Sequence, residues 1–276
     1  MAGKLEGKVA LVTGSTAGIG RACARIFAEE GACVVVNDHG ARPQLGPSVA
    51  EELQEHGQPC AYFCADVADS DEVRALVRFA LDEFGRLDVL MNNAVSGQNA
   101  PLLEQDEVEW DRLFASSVKA AFVASKCAIP GMIEQGGGAI INTSSVHGLL
   151  GGRGAPAYDA AKAALINLTR QMAVEYGRHG VRVNALCPGR ILTEAKEEWL
   201  KTRPDEVRRQ KIVYPLGRPG TMREAACAAL FLACDDSSFV TGHALVVDGG
   251  LTAQLQDAAA ANVERAVLAE LGMEED

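Results

Sequence analysis

Residues 8–37 read as a strand, a glycine-rich turn, a helix and a second strand, and no other stretch limits the possible folds as tightly. VALVT at 9–13 is a short β-rich run, and TGSTAGIG at 13–20 leads into a helical pattern from Ile19 to Glu30. Gly31 breaks that pattern before a second apolar run, Cys33–Asn37. A β-turn-α-β unit of this kind specifies parallel strands joined by a crossover helix.

The alternation continues along the chain. Helical patterns cover Ser48–Glu55, Ser70–Phe84, Glu107–Ile133, Ala157–Tyr176 and Ala225–Cys234. Strand patterns cover Ala61–Ala65, Asp88–Asn92, Ala139–Thr143, Val181–Cys187 and Ala244–Val247. Pro130 should kink the long fourth helix or turn its end. Residues 39–47 read as a turn-rich excursion, and the pattern breaks down for about thirty residues after Pro188, the natural place for a mobile lid or substrate loop. Seven short strands alternating with helices predict an α/β fold, a mostly parallel seven-stranded sheet with helices on both faces. The 276 residues suffice for one large core, which we place in residues 1–252. Residues 253–276 form a C-terminal extension in which Val263, Val267 and Leu271 recur at four-residue steps, predicting a helix that docks in cis or across a homo-oligomer.

A formal charge of −11 repels nucleic acid and anionic membranes, and the densest basic stretch, Lys201–Lys211, also carries Asp205 and Glu206. No nucleic-acid or membrane partner is expected. No run reads as the 18 or more apolar residues of a membrane span, and MAGKLEGK lacks a signal-peptide hydrophobic region, which predicts a cytoplasmic location. The eight cysteines are scattered through apolar patterns without histidines at zinc-like spacing, so most are expected to be small buried hydrophobes and no metal site is predicted.

Gly14, Gly18 and Gly20 leave room for a backbone turn, close ligand approach and helix-to-strand packing, with the unsatisfied N–H groups of the following helix available to a pyrophosphate. Asp38, at the end of the second strand pattern and 18 residues beyond Gly20, can accept hydrogen bonds from ribose hydroxyls and repel a 2′-phosphate. The predicted cofactor is therefore NAD rather than NADP. Asp66, after the third strand, is placed to meet adenine, and Asn92, after the fourth, to tie strands together; either could equally cap a helix or close a turn.

Tyr158 and Lys162 stand four residues apart in YDAAK, a spacing that puts both on one helix face, where a cation lowers the phenol's pKa and makes it an acid or base near neutrality. Ser145, after the fifth strand, can hydrogen-bond a substrate oxygen. His147 and Arg190, just beyond Ser145 and the Pro188-Gly189 turn, are candidate substrate contacts, Arg190 suiting a carboxylate and His147 a hydroxyl, against the alternative that each is structural or solvent-facing. A small or medium alcohol or ketone fits these groups.

Taken in order, these motifs resemble the short-chain dehydrogenase/reductase family over about residues 5–252. The resemblance is carried by TGSTAGIG, Asp66-Val67, NNA at 92–94, Ser145, YDAAK, PG at 188–189 with Thr193, and VTGHALVVDGG at 240–250. It implies a Rossmann-like fold, an NAD-dependent oxidoreductase and a homodimer or homotetramer. It assigns Ser145, Tyr158 and Lys162 to catalysis and Asp38 to NAD selection. It also implies cofactor contacts from Ser15, Thr16 and Ile19 in the glycine turn, from Val67, Asn93 and Ala94, from Tyr158 and Lys162, and from Pro188, Gly189, Ile191 and Thr193, although Thr193 could instead cap a helix beginning near Glu194.

Two positions depart from the family pattern. Val95 stands where members commonly have glycine, narrowing the space beside the fourth strand. The family's catalytic asparagine, associated with a main-chain carbonyl and a water in a proton relay from the lysine, falls on Ser117, with Ser116 as its neighbour; a serine is shorter, with one hydroxyl to donate and accept. These departures motivate a second reading, a dinucleotide-binding regulatory or assembly protein with weak or no catalysis. A third, methyl transfer from a sulfonium cofactor, leaves the Tyr–Lys pair idle.

Overall fold

Val9–Val12 (β1) pairs with Cys33–Asp38 (β2) on one side and Val89–Asn92 (β4) on the other, in register Val12 to Val36 and Val12 to Met91. The computed structural model describes residues 3–193, 198, 200–255, 263 and 267, with only the backbone at Asp205, Val207 and Arg209. Cys60–Cys64 (β3) adds beyond β2, and Gly138–Thr143 (β5), Val181–Pro188 (β6) and Ala244–Val247 (β9) add in turn beyond β4. The result is the expected seven-stranded sheet, all parallel, in the order β3-β2-β1-β4-β5-β6-β9. The order reverses between β1 and β4, and at such a switch point an open α/β sheet leaves a crevice beyond the carboxyl ends of its strands.

Both faces are covered, so the strands read as continuous Val, Ile, Leu and Ala runs rather than alternating ones. One face packs Gly18–Glu29 (α1), Leu45–Gln54 (α2) and Met222–Ala233 (α8) around the wholly buried Phe27 and Leu53. The other packs Ser70–Phe84 (α3), Ala120–Glu134 (α5) and Pro156–Tyr176 (α6) around Leu76, Leu90 and Met132. Truncating a side chain buried like Phe27 to alanine costs about 3–5 kcal/mol. Local signals mark the helix ends. Asp69 accepts hydrogen bonds from Asp71 N and Glu72 N at 2.7 and 3.2 Å, and α3 stops at Gly85 with φ +73°. Thr221 and Glu224 form a reciprocal capping box on α8.

Three expectations change. The single helix over Glu107–Ile133 is Glu107–Phe114 (α4), a π-helical turn at Ala115–Lys119, and α5, which runs through Pro130 to Glu134 without ending there. Residues 107–134 together are long and apolar enough to pass as a membrane span, but 56% of the most apolar window is buried inside the protein, as in a core helix. The stretch after Pro188 is more ordered than its mixed composition indicates: Ile191–Leu192 (β7) pairs in parallel with Gly220–Thr221 (β8), and Pro204–Val213 (α7) lies between them. Residues 45–47 open α2 instead of belonging to the preceding turn.

The eight cysteines are free thiols, but only four of them are buried; Cys64 and Cys227 are exposed and the other two intermediate, so the expectation that most are buried hydrophobes fails. Among the described residues no group of three His, Cys, Asp or Glu could hold a metal. In the C-terminal extension Val263 and Val267 are helical and exposed, while Leu271, and with it the expected docking, lies outside the described residues.

Candidate active site

A cleft of about 910 Å³ opens over the carboxyl ends of the strands. That volume lies near the top of the ~300–1,000 Å³ range of small-molecule and cofactor sites. Its floor at one end is the glycine turn. Gly14 and Gly18 have φ of +63° and +56°, which side chains disfavour. A Cβ on Gly14 would stand 3.0 Å from Ala94 Cα, and one on Gly20 would collide with the Gly14 carbonyl oxygen, so these two glycines pack turn against strand and helix. At Gly18 the nearest atom would be Thr193 Cγ2 at 3.6 Å, so the backbone there stays open to close approach. A glycine cradle followed directly by the N-terminus of α1 fits a pyrophosphate.

Asn93 holds the turn in place, with Nδ2 donating to Thr13 O and Gly14 O at 3.0 and 3.3 Å, while the Thr13 hydroxyl accepts from the amides of Asn93 and Ala94. Ser15 is a correction to the sequence reading. It is wholly buried, its hydroxyl donates to Val12 O and accepts from Asn37 N, and its own amide donates to Asn37 O, so the side chain locks β1 to β2 and does not face the cleft. Thr16, Ile19, Val67, Asn93 and Ala94 do line it.

Asp38 lines the cleft at the end of β2, with Oδ1 accepting from Gly40 N and from the Tyr62 hydroxyl, both at 2.8 Å. Those bonds fix the carboxylate. Burial, and then the Asp38 hydrogen bond, push the Tyr62 phenol above its usual range, so it remains a donor. Asp66 also lines the cleft; burial opposes its charge, but the Ala68 amide and the Arg112 guanidinium, 3.0 Å from Oδ2, outweigh that and lower its pKa. Neither Tyr62 nor Arg112 carries a signal in the sequence, because each reaches the site from a neighbouring element. His39, Ala41 and Arg42 also line this end.

At the other end Ser145, Tyr158 and Lys162 line the same cleft. Pro156 opens α6 at its first position, which brings Tyr158 into the first turn of that helix. A chain of buried amides fixes α6 against the sheet: Asn92 Nδ2 donates to Asn142 Oδ1, and Asn142 Nδ2 to Thr169 Oγ1, each at 2.9 Å. Asn92 therefore ties strands together, as its position predicted. The Ser144 hydroxyl donates to Lys162 O at 2.7 Å, and Lys162 Nζ donates to Thr143 O at 2.6 Å.

Lys162 does not lower the Tyr158 phenol as expected from the four-residue spacing. Its ammonium lies 5.3 Å from the ring centroid, over the face of the ring. Burial pushes the phenol above its ordinary value of 10.0, the Ser145 hydroxyl pulls it back, and Asp159 pushes it up further. Burial also takes Lys162 from 10.5 down to about 8. Both groups are desolvated, and each is held nearer its neutral form.

Ser117 lies outside the cleft. It is buried in the π-helical turn and its hydroxyl donates to Leu113 O at 2.5 Å, so the side chain closes the wide turn instead of reaching toward Lys162; Ser116 likewise donates to Ser96 O. The expected catalytic role for the Ser117 side chain is corrected accordingly. We expect Ser117→Ala to change kcat less than about threefold, since the hydroxyl makes one local backbone bond worth about 1 kcal/mol; a loss beyond a hundredfold in steady-state turnover contradicts this placement.

Val95 lines the cleft beside β4, where the sequence indicated narrowing. Pro188, Gly189, Arg190, Ile191 and Thr193 line it from β6 and β7. The Arg190 amide donates to the Tyr214 hydroxyl at 3.2 Å, and its guanidinium stands 3.6 Å from Glu206 on α7. Tyr214, Asn99 and Leu251 join the lining unannounced by any motif. Residues 194–197, where Thr193 was expected to cap a helix, lie outside the described residues.

Comparison with known proteins adds the relationship. A family model described as enoyl-(acyl carrier protein) reductase matches residues 14–252. The chain is 40% identical over 256 residues to 2-(S)-hydroxypropyl-CoM dehydrogenase 3 of Xanthobacter autotrophicus, covering 92% of this chain and all of that one. Its fold matches a gluconate 5-dehydrogenase from Burkholderia cenocepacia in complex with NADP and tartrate, at TM-score 0.84 and 34% identity, covering 91% and 97% of the two chains. It also matches a 7α-hydroxysteroid dehydrogenase complexed with NADH and 7-oxo glycochenodeoxycholic acid, at TM-score 0.82 and 34% identity, covering 89% and 94%.

Proposed function

The chain belongs to the short-chain dehydrogenase/reductase family, and on that premise we propose that it transfers a hydride between NAD(H) and the carbinol or carbonyl carbon of a secondary alcohol or ketone. The observation that carries this reading is the lining of one cleft by Ser145, Tyr158 and Lys162 at one end and by the glycine turn and Asp38 at the other. The residues fit a dinucleotide: an open backbone at Gly18 for the pyrophosphate and a fixed carboxylate at Asp38 for a ribose. When bound, the nicotinamide supplies the hydride acceptor or donor.

The chain's own groups manage the proton and the oxygen charge. Tyr158 Oη takes the alcohol proton in oxidation and returns it in reduction. Ser145 Oγ donates to the substrate oxygen as charge develops there, a contribution that typically accounts for about 10²–10³ in kcat. Lys162 is held over the ring face of Tyr158 by its bond to Thr143 O, where its ammonium packs against the phenol without itself acidifying it. Ser145 and Lys162 are buried and Tyr158 is partly so, and their desolvation strengthens the electrostatic interactions among them. A screen of secondary alcohols and ketones with NAD(H) tests the reading; a panel-wide absence of turnover with either dinucleotide overturns it.

Preference for NAD rests on Asp38, whose carboxylate is held at the ribose end through Oδ1, with Oδ2 outside those two bonds. We expect Asp38→Asn to reduce the ratio of kcat/KM for NAD over NADP at least tenfold, because the repulsive charge is removed while the size is kept. An unchanged ratio in parallel assays overturns the assignment. A catalytically weak dinucleotide-binding protein is the second reading, favoured by the Ser117 hydroxyl being bound to Leu113 O. NADH binding with no oxidoreductase activity supports it.

Family membership supports a homodimer or homotetramer, as does an apolar surface hollow lined by Phe114, Val118, Phe122 and Leu168. The net charge and free thiols support a cytoplasmic location. The reading of residues 1–252 as the core domain is supported by a family match that covers residues 14–252.

A further inference from the structure

Proton transfer leaves two polar groups at the substrate end without a role. His147 lines the cleft two residues after Ser145, its amide donating to Ser145 Oγ at 3.2 Å and its ring meeting Tyr158 edge-on with centroids 5.7 Å apart. Asp159, next to Tyr158 on α6, stands 2.6 Å from His147 Nδ1 through Oδ1 and accepts from Gly152 N at 2.6 Å through Oδ2. The imidazole is confined from the other side as well: a Cβ on Gly152 would collide with its ring.

This arrangement works against the proton-transfer chemistry. Asp159 puts a negative charge beside a phenol that must itself become negative, and it pushes the Tyr158 pKa upward. Holding the loop to α6 needs only the Gly152 amide on one carboxylate oxygen. The second oxygen orients the imidazole, and a local conflict of this kind at an active site signals function. With Asp159 accepting at Nδ1, the proton of a neutral imidazole resides there and Nε2 keeps its lone pair. His147, two residues beyond the Ser145 that holds the reacting oxygen, thereby brings a hydrogen-bond acceptor to the lining of the same cleft.

We propose that His147, held by Asp159, accepts a hydrogen bond from a hydroxyl on the carbon next to the reacting one, so that the enzyme selects vicinal diols and α-hydroxy ketones over simple alcohols and ketones. The proposal rests on the dehydrogenase reading above and names the substrate class of that site. Asp159 acts through His147 and is a positioning residue.

The test compares butane-2,3-diol with butan-2-ol, and 3-hydroxybutan-2-one with butan-2-one, on the full-length protein. A site built to bond a substrate hydroxyl discriminates by up to about 10⁴–10⁵ against an analogue lacking it, so a preference of at least tenfold in kcat/KM for the hydroxylated partner is expected. His147→Phe collapses that ratio toward one. His147→Gln, which presents an amide oxygen, restores part of it, a rescue that a packing role does not give. Asp159→Ala lowers the ratio mainly through KM for the diol. An unaltered ratio in all three variants, or a wild-type ratio near one with butan-2-ol turned over, overturns the proposal and leaves the dehydrogenase reading standing. No turnover of any of the four compounds, alongside turnover of other secondary alcohols, overturns the proposal alone; no turnover of any alcohol overturns both.

Discussion

Tyr158→Phe is expected to lower kcat about 10²–10⁴-fold, the usual contribution of a positioned general acid or base, while the dissociation constant for NADH changes only a few-fold. The reason for the split lies in the geometry. The variant keeps the ring that packs on His147 and under the Lys162 ammonium, and removes only the hydroxyl. Steady-state rates with any accepted alcohol and a fluorescence titration with NADH measure the two quantities. Parallel losses in binding and turnover indicate a structural role, and near-full turnover places proton transfer elsewhere.

Lys162→Met should be nearly as damaging to turnover and should also leave a signature in stability. Burial lowers Lys162 from 10.5 to about 8, so below pH 8 the folded protein carries a buried charge that opposes folding. Between pH 8 and 10.5 the unfolded chain binds the proton that the folded one has released, and stability contributed by this position therefore rises with pH. The wild-type unfolding free energy minus that of Lys162→Met is expected to climb by roughly 2–3 kcal/mol between pH 7 and 10, since each tenfold change in proton affinity corresponds to about 1.36 kcal/mol. Urea denaturation at the two pH values measures it, and a difference independent of pH shows that the lysine is not held near neutrality by burial. The variant also leaves Thr143 O without its Nζ donor, a loss that lowers stability at both pH values and cancels from the slope.

The sheet was legible because strands buried on both faces write themselves as unbroken runs such as VVVN and AIIN, and because Gly31, Gly57 and Gly85 end the helices or close the turns that separate them. The glycine-turn end of the cleft was legible for a similar reason: a positive φ at Gly14 and Gly18 can be supplied cheaply by one residue type. What local sequence did not reveal depends on contacts between distant elements. Tyr62 reaches Asp38 across adjacent strands, Arg112 reaches Asp66 from α4, and Tyr214 meets the Arg190 amide from beyond α7. No spacing rule encodes such meetings.

Two misreadings have definite causes. Ser15 sits in a motif whose adjacent residues line the cleft, but a hydroxyl between two strand ends finds Val12 O and Asn37 N first. The spacing of Tyr158 and Lys162 established proximity but not electrostatic balance, since desolvation is the largest influence on both groups, raising the phenol and lowering the ammonium. The helix α7 after Pro188 was hidden by its charge, because a helix over PDEVRRQKIV shows little apolar periodicity and gains its order from neighbours such as Tyr214, whose amide it receives at Gln210 O.

The most direct test follows a label from substrate to cofactor. Secondary alcohols carrying deuterium at the carbinol carbon are incubated with the enzyme and NAD, and the reduced dinucleotide is weighed by mass spectrometry. Hydride transfer with Tyr158 as the base predicts a one-mass-unit gain in NADH formed by the wild type, and a rate of label transfer reduced in Tyr158→Phe about as far as turnover, roughly 10²–10⁴-fold. Reduced cofactor without deuterium, or label transfer at wild-type rate in Tyr158→Phe, contradicts it.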